Sequence, residues 1–136
     1  MTTTDDRLDD AQLQLIVDRF YARVRADERL GPIFEGAVHD WPQHLQTLGA
    51  FWSSVMLRSG RYKGNPVAAH LRHRAALEPA LFERWLQLWA ETTSELAPPA
   101  AAARLQSAAR RIAESLQLTL FFDPSKPPPV RRPASA

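Results

Sequence analysis

Hydrophobic residues recur at helical spacing along most of this chain, and no segment shows the alternation typical of a β-strand. The first helical segment follows a capping box, in which Gln12 comes three residues after Asp9. At about 100° per residue its apolar side chains fall on one narrow face. They are Leu13, Ile16, Val17, Phe20 and Val24. The pattern therefore predicts an amphipathic helix that ends near Asp27.

A second long helix is predicted to begin at residues 40–43 (DWPQ), where a capping aspartate precedes a proline in the first turn. His44 lies at the centre of its apolar stripe, because Phe51 and Leu48 fall within about 40° of it at 100° per residue. Before this helix, residues 30–34 (LGPIF) place a glycine and a proline between apolar side chains. We expect a tight corner or a 3₁₀ turn there.

Two more long helices are predicted in the second half of the chain. One starts at Glu78-Pro79 and runs to about Glu95. The other is rich in alanine, follows Pro98-Pro99 and runs to about Phe122. Together with the first two, they predict an all-α fold.

Between the second and third long helices lies a basic segment punctuated by glycines, residues 60–71 (GRYKGNPVAAHL). Asn65 is a predicted N-cap and Pro66 the first helical residue, and His70 follows after barely a turn and a half. A helix this short is not stable by itself. We therefore expect it to depend on what it packs against.

Length and composition predict one folded domain with a disordered segment at each terminus. A chain of 136 residues suits a single domain, which we place at residues 9–122. We expect residues 1–8 to be disordered. The tail at 123–136 is basic and rich in proline, and we expect it to be disordered or extended.

Charge and composition narrow the class of protein. The net charge is +2, but three of the 17 bases and one of the 15 acids lie from residue 123 onward, which leaves 14 of each in the rest. A folded body with balanced charges lacks the excess of positive charge that is typical of a nucleic-acid-binding protein. No apolar run approaches the roughly 20 residues of a membrane span, and the polar, acidic start resembles neither a signal nor a transit peptide. The lack of cysteine excludes disulfides and thiolate chemistry. We expect a cytoplasmic protein that binds neither nucleic acid nor membrane.

Histidine is the residue type best placed for chemistry. His39 and His73 lie in polar contexts typical of a solvated surface. A single histidine on an apolar face, such as His44, is more often a core residue than a ligand, and a histidine on a short helix, such as His70, is common. As a pair on two helices, however, His44 and His70 are also suited to flank a flat apolar ligand.

Aromatic side chains are in surplus for a simple helical bundle. Core packing explains most of them, but a buried tyrosine hydroxyl or indole N–H requires a partner. Tyr21 and Trp85 therefore suggest a pocket that receives a polar ligand atom. Motifs for other chemistries are missing from the sequence, including HExxH, a glycine-rich phosphate loop and a nucleophile elbow. The carboxylates lie on outward helix faces, which disfavours a zinc or non-haem iron site.

The order of these features resembles the truncated haemoglobins, and specifically the third group of that family. The resemblance covers about residues 12–122. The paired glycines typical of the other two groups are missing from this chain. The matching residues are Phe20-Tyr21, Leu30-Gly31-Pro32-Ile33-Phe34, Trp41-x-x-His44, Gly49-x-Phe51-Trp52, Tyr62-x-Gly64-x-Pro66-x-x-x-His70 and Phe82-x-x-Trp85-Leu86.

The resemblance implies a shortened globin fold of two helices over two, which encloses one haem b. His70 would be the proximal ligand of the iron. On the other face, Tyr21 and Trp85 would donate hydrogen bonds to a ligand on the iron. His44 matches the distal gate position. The pocket walls would be Phe34, Phe51 and Trp52.

The two haem carboxylates would need cations and hydrogen-bond donors at the mouth of the pocket. Our candidates are Arg61, Tyr62, Lys63 and Arg72, with His73 as a competitor. His73 also rivals His70 for the iron, because three residues on is nearly the same helical face.

The function implied by the resemblance is binding of O₂, NO, CO or a related small ligand by a monomer. An enzymatic version would be NO dioxygenation or peroxidase-like turnover with electrons from an external reductase. A non-enzymatic version would be reversible binding or sensing. A different class of protein stays open, a cofactor-free helical interaction module in which the aromatic side chains form the core.

Overall fold

The structure of this chain is a computed structural model that describes residues 8–121, apart from the side chains of residues 69 and 74. The predicted loose ends at 1–7 and 123–136, and the predicted helix end at Phe122, lie outside the described residues. Leu8 is a correction, because it is buried and packs in the core although we expected it in a disordered N-terminus.

The described residues form α-helices joined by short connections, and no strand occurs among them. The all-α prediction is confirmed. A 3₁₀ turn, Arg74–Ala76, follows the fourth helix. The helices are α1 (Asp10–Ala26), α2 (Leu30–Ala37), α3 (Trp41–Leu57), α4 (Pro66–Leu71), α5 (Pro79–Leu96) and α6 (Pro99–Leu120).

Three helices begin at the predicted caps. The Asp9 carboxylate accepts a hydrogen bond from the Gln12 backbone N–H at 2.8 Å, and the Gln12 side chain accepts from the Asp9 N–H at 3.2 Å. Asp40 caps α3 and Asn65 caps α4 in the same way, each accepting from the N–H three residues ahead at 3.1 Å. These caps are local, which is why the sequence predicts them well.

Helix α2 corrects the predicted corner at residues 30–34. Pro32 does not interrupt this helix, because it is the third residue, where the backbone N–H has no acceptor within the helix anyway. The carboxylate of Asp27 accepts from the N–H groups of Arg29 and Leu30 at 3.1 and 3.0 Å and so satisfies the start of the helix.

The long helices pack as two pairs. Helix α1 lies against α3, α5 lies against α6, and contacts between α1 and α5 join the pairs into the predicted arrangement of two helices over two. Within the first pair, α1 and α3 approach closely at Gly49, where a β-carbon would collide with the Gln14 side chain. The short α4 packs against α6, which supplies the support that its length requires.

A column of indole rings occupies the centre of the core. Trp52 and Trp89 stack at 4.4 Å between ring centroids, and Trp85 lies parallel to Trp89 at 6.1 Å. The Trp89 indole N–H donates to the Leu105 carbonyl at 3.0 Å, so its polar atom is satisfied. Within residues 8–121 no helix combines the length and the apolar composition of a membrane span.

Candidate functional site

A cavity of about 730 Å³ lies among the helices, and all six of them contribute side chains to its walls. Its lining is mostly apolar, with a few polar groups. Volumes of roughly 300–1,000 Å³ with such a lining are typical of sites for small molecules and cofactors. The fold therefore contains a pocket large enough for a cofactor.

The cavity gathers most of the predicted site residues. Arg61 and Lys63 are the exceptions, since neither lines it. Those that do are Tyr21, Phe34, His44, Phe51, Trp52, Tyr62, His70, Arg72 and Trp85.

His70 presents a single imidazole nitrogen to this cavity. Its Nδ1 lies 2.6 Å from the carbonyl oxygen of Pro66, one turn earlier in α4. Because a carbonyl can only accept, Nδ1 carries the hydrogen, and the neutral ring in this tautomer has its lone pair on Nε2. A ring held in this way is prepared to ligate a metal through Nε2, since metal-bound histidines generally donate their other N–H to such an acceptor.

Tyr21 is a buried hydrogen-bond donor in the wall contributed by α1. Only 4% of the residue is exposed, and the rings of Phe20 and Phe34 pack edge-on against it at 4.7 and 5.6 Å. Burial raises the pKa of the Tyr21 hydroxyl to about 12, partly offset by a hydrogen bond from the side chain of Trp85. Because the indole N–H donates to the phenolic oxygen, the protonated phenol keeps its own hydrogen for another acceptor.

His44 points into the cavity, as its central place on the apolar stripe predicted. Burial lowers the pKa of its ring, so the neutral form predominates at pH 7. Its Nε2 is buried without a hydrogen-bond partner among the described residues, and so is the indole nitrogen of Trp41, whose ring lies 5.5 Å away. An unsatisfied buried polar atom costs about 1–3 kcal/mol. A polar group held in the cavity would relieve that cost at His44.

The rim of the cavity differs from the prediction at two positions. Arg61 instead forms an ion pair with Asp10 of α1 at 2.6 Å between Nη1 and Oδ1, away from the cavity. Lys63 is exposed and also lies outside the lining. Arg72 and His73 are exposed and do line the cavity, so they offer a guanidinium and an imidazole at its opening. The sequence could not reveal the Arg61 pair, because Asp10 is distant in the chain.

Polar residues on the opposite side of the rim were missed. His39, which we assigned to the solvated surface, is exposed and also lines the cavity. Gln43 and Thr47 line it too, and the signal was their helical spacing, since Thr47 comes three residues after His44 and four after Gln43.

A metal ion held by protein side chains alone is not supported. Among residues 8–121 no three histidine, aspartate or glutamate side chains come together as such a site requires. What this part of the chain offers is one oriented imidazole in a large apolar slot, with hydrogen-bond donors and cations around it. That donor set fits a flat, mostly apolar cofactor that brings most of the ligands of its own metal.

Two comparisons with known proteins agree with this geometry, although no family model matches the sequence. The chain is 36% identical over 81 residues to a curated protein, the group 3 truncated hemoglobin of Campylobacter jejuni. The aligned part is 57% of this chain and only 63% of that relative's length. The fold is similar to the crystal structure of the group III truncated hemoglobin from the same organism, with a TM-score of 0.76 and 29% identity, covering 84% of this chain and 92% of that one. Sequence and fold thus agree with the resemblance, since in both the chain is similar to a group III truncated haemoglobin.

Proposed function

We propose that this chain binds one haem b in the cavity and thereby binds a diatomic ligand such as O₂, NO or CO. The observation that carries the proposal is the hydrogen bond from His70 Nδ1 to the Pro66 carbonyl inside an apolar cavity of cofactor size. This bond fixes the ring and leaves Nε2 as the proximal ligand. When bound, the haem supplies an iron with an open position for the diatomic ligand.

Other cavity residues would contact either the ring or the carboxylates of the haem. Phe34, Phe51 and Trp52 offer flat apolar walls. Arg72, His73 and Tyr62 line the cavity, and they would offer two haem carboxylates at the opening a guanidinium, an imidazole and a hydroxyl donor. The sequence has no cysteine that could form a thioether bond to the haem, which supports haem b over a haem attached in that way.

The most direct test is the visible absorption spectrum of the full-length protein after haem supplementation. We expect a Soret band in the wild type, loss of the proximal-histidine spectrum in His70→Ala, and its return when free imidazole is added to that variant. His73→Ala is the matched control and should keep the wild-type spectrum. A normal spectrum in His70→Ala would assign the iron to His73. No Soret band in the wild type would reject the proposal and favour the interaction module.

Tyr21 is the proposed direct donor to the bound ligand, and Trp85, the second donor implied by the resemblance, acts through Tyr21 because its single indole N–H donates to the phenolic oxygen. A ligand that develops negative charge is stabilised by preorganised donors in a site from which water is excluded. Since the pKa of Tyr21 is about 12, its hydroxyl remains a donor at physiological pH. The Nε2 of His44, which has no partner among the described residues, can hydrogen-bond to the same ligand. His44 could also act as the gate through which the ligand enters. Such a pocket favours holding or converting a ligand over rapid delivery.

Substitution of Tyr21 measures this role. A hydrogen bond to a charged acceptor contributes about 1.5–3 kcal/mol, which corresponds to roughly a 10- to 150-fold faster dissociation of O₂ in Tyr21→Phe. Stopped-flow mixing of the O₂ complex with a CO solution measures this rate of O₂ dissociation. Tyr62→Phe removes the same hydroxyl at the opening of the cavity and should leave the rate unchanged. An unchanged rate in Tyr21→Phe would remove Tyr21 from the donor set.

We propose that the ligand is converted, by NO dioxygenation or peroxidase-like turnover, in the cytoplasm and by a monomeric protein. The retention of ligand expected from Tyr21 and Trp85 supports conversion over delivery. An external reductase would return the electrons. Turnover of NO or peroxide by the purified protein with an added reductant tests this use. Ligand binding without turnover would instead indicate a sensor.

A further inference from the structure

The positive charge of this chain is concentrated in one stretch. Residues 58–77 contain five lysine and arginine residues and no acid. The remainder has 12 bases and 15 acids, a balance of −3, although the whole chain carries +2. Arg61 is neutralised by its ion pair with Asp10. Among the described side chains of this stretch, the exposed groups that remain are the cations Arg58, Lys63 and Arg72 together with His73, and they are here called the basic rim.

The basic rim borders the opening of the cavity. Arg72 and His73 line the cavity and are assigned above to the haem carboxylates, so Arg58 and Lys63 are the rim cations left for a partner. Leu71, between His70 and Arg72, is 42% exposed. The loop that carries Lys63 is fixed to α3 by a 2.7 Å hydrogen bond between the Ser59 and Ser53 hydroxyls. The rim is therefore a preorganised surface with an apolar side chain within it.

We propose that the basic rim is the docking surface for an acidic protein that delivers electrons to the cavity. This inference rests on the proposed function, because only a redox site needs such a donor. Clustered charge at one opening speeds association with a partner of opposite charge by roughly 10- to 10³-fold. Arginine together with an exposed apolar residue is the composition typical of a protein interface.

The charge outside the basic rim favours an acidic protein as the partner over a nucleic acid or an anionic membrane. Among the described residues outside 58–77 there are eight bases and 12 acids. A nucleic acid or an anionic membrane extends beyond the rim and meets this negative surface, whereas a compact acidic patch on a protein does not. Asp40, the acid among the described residues that line the cavity, is the N-cap of α3 and not part of the basic segment.

The test compares two double charge reversals in the full-length, haem-supplemented protein. Arg58→Glu with Lys63→Glu changes the rim and spares the cavity, since neither residue lines it. Arg19→Glu with Arg110→Glu makes the same change of charge at exposed positions of α1 and α6. The probe is a flavodoxin, a soluble acidic carrier of single electrons. Its affinity by titration calorimetry and its rate of reducing the protein are measured at about 0.01 M and 0.1 M salt, where the Debye length falls from about 30 to about 10 Å.

We expect about a tenfold loss of affinity and of reduction rate in the rim variant at low salt, and a change of less than about twofold in the control. The wild type should also lose more affinity on adding salt than the rim variant does. Equal losses in both variants, or no binding by the wild type at low salt, would overturn the proposal. Tighter binding to a DNA duplex or to phosphatidylserine vesicles than to the flavodoxin would overturn it as well. The Soret band and the CO association rate, recorded for every variant, show separately whether the haem proposal fails.

Discussion

Replacing Tyr21 with phenylalanine should remove an alkaline loss of stability that the buried phenol imposes on this fold. The pKa of a free tyrosine is 10, and burial raises the pKa of Tyr21 to about 12. The folded state therefore binds this proton more tightly than the unfolded state does. Below pH 10 the phenol is neutral in both states, and its contribution to the free energy of unfolding is fully present. That contribution is lost as the pH rises from 10 to 12.

The size of the effect follows from the shift. Two pKa units correspond to about 3 kcal/mol at 1.36 kcal/mol per unit, and little of this is screened because only 4% of the residue is exposed. Urea unfolding of the wild type and of Tyr21→Phe is measured from pH 8 upward, and the variant's free energy is subtracted from that of the wild type. Tyr62 is present in both proteins and cancels.

The difference curve should be level up to about pH 10 and should then fall by up to about 3 kcal/mol. Its level portion reports the loss of the Trp85 hydrogen bond, which costs about 1–3 kcal/mol where it leaves the indole N–H unpaired. Parallel unfolding curves for the two proteins across pH 10–12 would refute the reasoning. They would mean that the phenol titrates as if in water.

Two further predictions concern the start of α2. Gly31→Ala places a β-carbon 2.6 Å from the backbone oxygen of Arg25, which cannot move aside, so it should cost about 1–3 kcal/mol in urea unfolding. Gly36→Ala, in the same helix with nothing within 4 Å of the new carbon, should be neutral or gain up to about 1 kcal/mol, and equal stability of the two variants would contradict the clash. Burial acts to raise the pKa of the Asp27 carboxyl, but hydrogen bonds from the backbone of α2 and from Arg84 outweigh it and lower the pKa. Asp27 therefore contributes to the free energy of unfolding above its unfolded pKa, and this contribution is lost as the pH falls through its folded pKa. Asp27→Asn should flatten the acid side of the curve of unfolding free energy against pH. An unchanged acid side would contradict the pairing.

Helix positions and starts were predicted well because their signals are local. Asp9, Asp40 and Asn65 each cap an N–H three residues away, and such contacts are visible as short patterns in the chain. The error at α2 was also local in origin, because Gly31-Pro32 indicated a break. The carboxylate of Asp27 and the early position of the proline allow a helix there.

The parts of the site that depend on a single side chain of a single helix could be predicted from the sequence. His44 lies where its apolar stripe placed it, and His70 lies on the capped short helix. The rim was less predictable, since Arg61 is withdrawn from the cavity by Asp10, 51 residues earlier. The basic residues of this loop are evident in the sequence, but their division between the cavity and α1 depends on where α1 packs.

The sequence by itself determined which segments become helices, which faces of them are apolar, and that one histidine lies within such a face. These properties follow from periodicity and capping, which act over three or four residues. Only the tertiary structure decided that all six helices enclose one cavity, that Trp85 donates to Tyr21, and that the basic segment borders the opening. Each of these depends on the angle and distance between helices far apart in the chain, and packing of the whole core sets those quantities.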